Sequence, residues 1–145
     1  MSFKGYSLSV KGASHEDAGE VCQDSTRFYI THGLAVAAVS DGHGSEKHFR
    51  SAAGSEMATR VAIRSLCDFY ERNEGLREFF RENPDNAARR IAANIICGWN
   101  GEIAAHMRFS PLNERESAIC EKYGGIAGEI MYGATLIVAA AAENF

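Results

Sequence analysis

An aspartate, two glycines and a histidine stand directly after a short apolar run, and these residue types can do metal-dependent chemistry. Residues 40–45 read Ser-Asp-Gly-His-Gly-Ser, and the apolar run 34–39 before them is typical of a buried strand. A carboxylate at a strand tip, here Asp41, suits a hard divalent cation, and Gly42 lets a backbone carbonyl approach the same ion. His43 adds an imidazole, which titrates near neutral pH in ordinary surroundings. The stretch predicts half of a metal-hydrolase site.

The composition is that of one globular domain without a nucleic-acid partner. The chain has 145 residues, of which 46% are hydrophobic and 23% charged, so it is long enough to bury a core. Its net charge of −4 gives no support for nucleic-acid binding, which usually requires a basic face. No window approaches the roughly 18 apolar residues of a membrane span, and we expect no membrane partner.

The cysteines indicate a reducing compartment. They are widely spaced and include no Cys-x-x-Cys pair, which argues against zinc binding or redox work. The N-terminus also lacks the basic flank and apolar segment of a secretory signal. The sequence therefore predicts a cytoplasmic protein with free thiols. The four cysteines are Cys22, Cys67, Cys97 and Cys120.

The first part of the chain predicts three strands. Weak alternation of apolar residues predicts a strand over 3–10. Residues 23–30 and 34–40 are predicted as two more strands, and the short link that contains Gly33 predicts a hairpin between them.

Two amphipathic helices follow. The first is predicted from about Glu46 to Tyr70, with Ser45 as its cap. The second begins at Pro84, with Asn83 as its cap. Its buried stripe is predicted to consist of Ile91, Ile95, Trp99 and Ile103.

The chain closes with a short helix and a strand. A helix is predicted over 111–119, and the glycines that follow end it. Residues 132–140 are β-branched and small, and they predict a last strand. Because an apolar strand with free backbone groups invites pairing, we expect self-association through this strand.

Three segments in this order resemble the N-terminal half of the protein phosphatase 2C (PPM) family, in its bacterial-type form. They are Gln23-Asp24, the Asp-Gly-His-Gly of residues 41–44, and the Tyr-Gly-Ala-Thr-Leu of residues 132–136. The resemblance implies an α+β fold, an antiparallel β-sandwich flanked by helices, of which this chain holds only the N-terminal part. It also implies that residues 1–145 are a single, partial domain, truncated at its C-terminus.

The resemblance assigns roles to particular residues. Asp41 would bridge two Mg²⁺ or Mn²⁺ ions, and Gly42 would offer its carbonyl to one of them. Asp24 matches an acidic position of the family, whereas Gln23 stands where the family has a glutamate ligand. His43 would be the general acid that protonates the leaving alkoxide. The implied activity is that of a metal-dependent serine/threonine phosphatase acting on a phosphoprotein substrate.

The chain departs from the family at two places. Gly19 stands where the family often carries a phosphate-binding arginine, and His15, Lys11 or Arg50 are the candidates to replace it. The family's two further metal aspartates belong to its C-terminal half. The 145-residue chain alone is therefore expected to bind metal weakly and to be inactive.

Other functions remain open at this stage. A non-catalytic, phosphatase-like binding or regulatory module would keep the same fold, and Asp41 would then serve only a capped turn. A calcineurin-like metallophosphoesterase needs later motifs that this sequence lacks. A zinc site built from His32, His43 and His48 is a weaker alternative, because the three straddle a turn, a loop and a helix.

Overall fold

A computed structural model describes residues 3–10, 21–31, 33–72 and 81–142, and these residues form an α+β structure. Its centre is a three-stranded antiparallel sheet in the order β1-β2-β3. The strands are β1 (Ser25–Thr31), β2 (Leu34–Gly42) and β3 (Ala134–Ala142). The predicted α+β class is confirmed, while a two-sheet sandwich is not seen in the described part of the chain.

The hairpin between β1 and β2 is confirmed. Its register pairs Thr31 with Leu34 at the turn and Ser25 with Ser40 at the far end. Gly33 has a φ of 78°, a left-handed conformation that favours glycine in so tight a link.

The strand predicted over residues 3–10 is wrong, because no strand is assigned there. Tyr6 and Leu8 are exposed by 94% and 74%, so the alternation does not bury a face. The segment contacts the sheet through single groups instead: Gly5 lies against the Phe28 ring, and the Ser9 hydroxyl donates to the Asp24 carbonyl. Such single contacts do not form the repeated backbone hydrogen bonds of a β-ladder.

The helices cover one face of the sheet. They are a 3₁₀ turn (Glu46–His48), α1 (Ser51–Arg72), α2 (Pro84–Phe109), α3 (Glu114–Lys122) and α4 (Gly128–Met131). Alternate residues of β2, Leu34, Val36 and Ala38, are buried in one core cluster with α1 and α2. Among the described helices, none is long and apolar enough to cross a membrane.

All three predicted helix starts can be compared with the structure, and the helix predicted over 111–119 begins at Glu114, three residues later than predicted. Asn83 caps α2 as predicted, since its Oδ1 accepts from the Asn86 amide at 3.1 Å. Ser45 does not cap the long helix, which begins only at Ser51; its Oγ lies 2.7 Å from Nδ1 of His48. The Asp-Gly-His-Gly loop is thus followed by a turn before α1 starts.

The predicted stripe on α2 packs largely as expected. Ile91, Ile95 and Ile103 are buried. Trp99 is half-buried in a second core cluster, and its Nε1 donates to the Gly54 carbonyl at 3.0 Å. Gly54 is required at that point of α1, because a Cβ there would overlap the Tyr132 carbonyl.

Candidate functional site

The candidate cation ligand Asp41 lies at the end of the central strand and is exposed. It is paired with Thr135 of β3, whose Oγ1 donates to the Asp41 carbonyl at 3.3 Å. The buried Ser40 hydroxyl in turn donates to the Thr135 carbonyl at 2.6 Å. These bonds fix the backbone of the strand end, and its carboxylate stands at a rigid position.

Gly42 allows the loop after β2 to contact Gln23. A Cβ at residue 42 would lie 2.6 Å from the Gln23 carbonyl oxygen and 3.1 Å from the Ser51 carbonyl oxygen, so no larger residue fits without a shift. A Cβ at Gly44 would lie 3.7 Å from the Gln23 side-chain oxygen. The structure therefore brings Gln23 next to the loop, as the predicted ligand set requires.

Asp24 and Asp41 line the same cavity. The space has a volume of about 300 Å³ and lies on the sheet face away from the helices, with Thr135 and Ile137 also in its wall. Since Ser25 pairs with Ser40, the two aspartates stand at adjacent ends of neighbouring strands. Two carboxylates are thus near each other on the rim of an open cavity.

The chemistry of this donor set fits a hard divalent cation. Two carboxylates, the Gly42 carbonyl and the Gln23 amide offer only oxygen ligands, which Mg²⁺ prefers, and Mg²⁺ commonly keeps several waters. Within the described residues, no group of three or more His, Cys, Asp or Glu side chains is placed to hold a metal ion. These residues would supply only part of the ligand shell of such an ion.

His43 is fixed through its backbone beside the start of β3. Its amide donates to the Gly133 carbonyl at 3.1 Å. A Cβ at Gly133 would lie 2.9 Å from Cδ2 of His43 and 2.8 Å from Cδ2 of His48, so glycine is needed there. The His43 imidazole itself is exposed, and an incoming substrate can reach it.

His48 is the neighbour of His43 that the sequence reasoning did not assign to this site. The two ring centroids are 4.8 Å apart. Burial lowers the pKa of His48, and the adjacent His43 lowers it further, so His48 favours its neutral form. The zinc alternative gains no support, because His32 lies outside the described residues and no third ligand joins the pair within them. A histidine five residues after the loop histidine was the signal available in the sequence.

Arg50 does not take the phosphate-binding role that the sequence suggested. The residue is only 7% exposed, and its Nε and Nη2 donate to both Glu116 carboxylate oxygens at 2.8 Å. The remaining N–H groups donate to the Ser110 and Pro111 carbonyls and to the Tyr132 hydroxyl. Since all five donors of a guanidinium are engaged, none is left for phosphate. The predicted role is corrected to a structural one.

The other phosphate-binding candidates, His15 and Lys11, lie outside the described residues. They stay predictions.

The Arg50–Glu116 pair predicts a stability effect. Glu116→Gln is expected to lower the free energy of unfolding by about 3–5 kcal/mol, because the Arg50 charge would stay buried without a counter-charge. Urea denaturation measures the loss, and Glu114→Gln, an exposed change on the same helix, is the matched control. Equal stability of the Glu116→Gln variant and wild type would contradict a stabilising pair.

The same pair predicts a pH dependence. The hydrogen bonds from Arg50 hold the pKa of Glu116 below its ordinary value of 4.5. The pair's stabilisation is therefore fully present above pH 4.5 and is lost as the pH falls through the lower, folded-state pKa. In Glu116→Gln this acid-side loss of stability should be smaller than in wild type.

Comparison with known families supports the family that the sequence resembles. The sequence model of the protein phosphatase 2C family matches residues 11–145. The chain therefore belongs to the protein phosphatase 2C family. Searches among curated proteins and among solved structures return no significant match. The bacterial-type assignment stays a prediction.

Proposed function

We propose that this chain carries the first half of the active site of a metal-dependent serine/threonine protein phosphatase. One observation carries the proposal: Asp24 and Asp41 stand at adjacent strand ends and line one cavity, and Gln23 lies against Gly42 in the same part of the fold. Membership of the protein phosphatase 2C family supports phosphomonoester hydrolysis as the reaction.

Each residue has a chemical role in this proposal. Asp41, Asp24 and the Gly42 carbonyl hold Mg²⁺ or Mn²⁺, with Gln23 contributing its amide oxygen directly or through water. When bound, two such ions neutralise the phosphate dianion and lower the pKa of the attacking water. The imidazolium form of His43 would donate its proton to the ester oxygen and become neutral imidazole, so that the serine or threonine leaves as a neutral hydroxyl. The products are inorganic phosphate and the dephosphorylated protein.

The proposed substrate is a phosphoprotein, and the proposed compartment is the cytoplasm. The exposed positions of Asp41 and His43 support a macromolecular substrate, because a phosphorylated side chain on another protein's surface can reach them. The net charge of −4 supports neither nucleic acid nor an anionic membrane as a partner.

An aryl phosphate assay tests this function. A complete phosphatase domain that contains this half-site should release phosphate from p-nitrophenyl phosphate in Mn²⁺ or Mg²⁺, and not after chelation with EDTA, whereas the 145-residue chain alone should release little or none. Hydrolysis that is insensitive to EDTA would contradict a metal-dependent mechanism.

A binding or regulatory module is the second candidate function. Two observations favour it: Gln23 replaces a charged ligand, and Arg50 is engaged in the fold rather than free for phosphate. Under this alternative, a complete domain that contains this chain also binds divalent cations weakly and releases no phosphate in the same assay.

The family's two-sheet sandwich is also part of the proposal. The sheet face away from the helices carries Val39 and Ile137, which are 46% and 71% exposed. An apolar face of this kind is typical of the inner surface of a sandwich. We propose that a second sheet covers it.

The exposed strand β3 supports the proposed self-association. It is an edge strand of the sheet among the described residues, with nine residues and neither charge nor proline, and such edges favour pairing. We expect a dimer by size-exclusion chromatography with light scattering, and a monomer after Ile137→Lys. Ile96→Lys, on exposed α2 surface, is the matched control and should stay dimeric. A monomeric wild-type chain at the highest concentration reached would contradict this prediction.

A further inference from the structure

A buried hydrogen-bond network lies behind the candidate site and is not used by the mechanism above. Tyr132 is fully buried, and its hydroxyl accepts a hydrogen bond from Arg50 Nη1 at 2.8 Å. The same hydroxyl is bonded to Nδ1 of the half-buried His106 on α2. The Glu116 carboxylate on α3 accepts hydrogen bonds from Nε and Nη2 of the same Arg50 guanidinium. Four separate segments of the chain, which carry Arg50, His106, Glu116 and Tyr132, are thus joined in one network.

The direction of these bonds follows from the donors available. A guanidinium has no acceptor, so Arg50 must donate to the Tyr132 oxygen. The phenolic proton can then be donated to His106 Nδ1 in the tautomer that leaves this nitrogen without a proton, since the roles of the two atoms depend on the tautomer. With both bonds made, the Tyr132 hydroxyl is satisfied and its ring is held in one orientation.

The backbone connects this tyrosine to His43. The next residue, Gly133, accepts the His43 amide through its carbonyl and lies against the His43 ring. On its other side, Met131 accepts the Arg50 amide at 3.0 Å. Gly54 of α1 lies directly against the Tyr132 carbonyl, so the backbone around Tyr132 has no free space on that side. A displacement of Tyr132 must therefore move the peptide that holds His43.

We propose that Tyr132, held by Arg50 and His106, is a positioning residue for His43. The inference rests on the phosphatase function proposed above, in which His43 donates the proton to the leaving oxygen. Tyr132 does not contact the substrate, because it is fully buried. It sets the place of the His43 backbone and thereby the distance over which the proton moves.

Amide exchange of His43 tests the structural part of the proposal without any assay of activity. In Tyr132→Phe, which removes only the hydroxyl, the His43 amide should exchange with solvent at least several-fold faster by NMR than in wild type. Tyr29→Phe, at a half-exposed tyrosine on β1, is the matched control and should leave the exchange unchanged. Unchanged exchange in a folded Tyr132→Phe variant would overturn the proposal.

A kinetic double-mutant cycle tests the functional part. On a phosphoserine peptide, Tyr132→Phe should lower kcat about tenfold with little change in KM, a part of what a positioned acid contributes. In the His43→Gln background the same change should have almost no further effect, because the group that it positions is gone. Equal losses in both backgrounds would mean that Tyr132 acts only on the fold, and would overturn the inference.

A second variant tests the proposal if Tyr132→Phe does not fold. His106→Leu removes the acceptor from a half-buried surface of α2 and should give the same two results in weaker form. If a complete domain that contains this half-site hydrolyses no phosphate ester, the proposed function fails, and the His43 exchange rate alone decides whether Tyr132 positions the loop.

Discussion

Asp41→Asn should abolish metal-dependent hydrolysis by the complete phosphatase domain that contains this half-site, while the fold stays intact. The change keeps the size of the side chain and removes its charge, so affinity for a hard cation falls. Mutating a residue that only supports a metal ligand already costs about 10–100-fold in metal affinity or activity. We therefore expect a loss of activity of more than about 100-fold when a direct ligand is changed. The rate on p-nitrophenyl phosphate in Mn²⁺ is the measurement.

The fold should tolerate this substitution. Asp41 is exposed, and the hydrogen bond from Thr135 Oγ1 at its strand end is accepted by its backbone carbonyl, which the change retains. Circular dichroism and thermal unfolding should therefore resemble wild type. Asp68→Asn, at an exposed position of α1, is the matched control for losing one carboxylate and should keep full activity. Wild-type turnover in Asp41→Asn would remove this residue from the cation site.

The second large effect is expected at His43. His43→Gln should slow hydrolysis of a phosphoserine peptide by about 10²–10⁴-fold, the usual contribution of a positioned general acid. A serine alkoxide needs a proton in order to leave, whereas the nitrophenolate of an aryl phosphate leaves without one. The loss on p-nitrophenyl phosphate should therefore be much smaller.

The comparison of the two substrates is its own control, since both are measured on one preparation. An equal loss on both would indicate that His43 orients the loop or a bound cation rather than donating a proton.

Periodicity predicted the elements that bury an apolar face. The hairpin, α2 with its Asn83 cap and the last strand were each predicted within a few residues, because alternation and a four-residue repeat report burial directly. The strand predicted over 3–10 failed for the same reason: its alternating residues Tyr6 and Leu8 stay exposed, and no ladder forms. A weak pattern without a partner strand is not enough.

The site was predictable where it depends on neighbours in the sequence. Asp41 and Gly42 end strand β2 and His43 follows them directly, so the predicted strand end placed all three. Gln23 and Asp24 came from the family resemblance, and the hairpin register explains their proximity to Asp41.

The role of Arg50 was not predictable from its position. Its partners Glu116 and Tyr132 are 66 and 82 residues away, and no local pattern shows that they close around the guanidinium. From the sequence an arginine near a metal loop favoured phosphate binding. In the fold the Arg50 guanidinium donates its hydrogen bonds to carbonyl, carboxylate and hydroxyl acceptors. The network around Tyr132 exists only through these long-range contacts.

Calorimetric titration of Mn²⁺ into the full chain tests most directly whether Asp24 and Asp41 share one cation site. We predict a binding heat in wild type, a marked loss of affinity in Asp41→Asn and in Asp24→Asn, and wild-type affinity in Asp68→Asn. Unchanged Mn²⁺ affinity in both Asp41→Asn and Asp24→Asn would contradict the account, because the ion would then bind elsewhere on the chain.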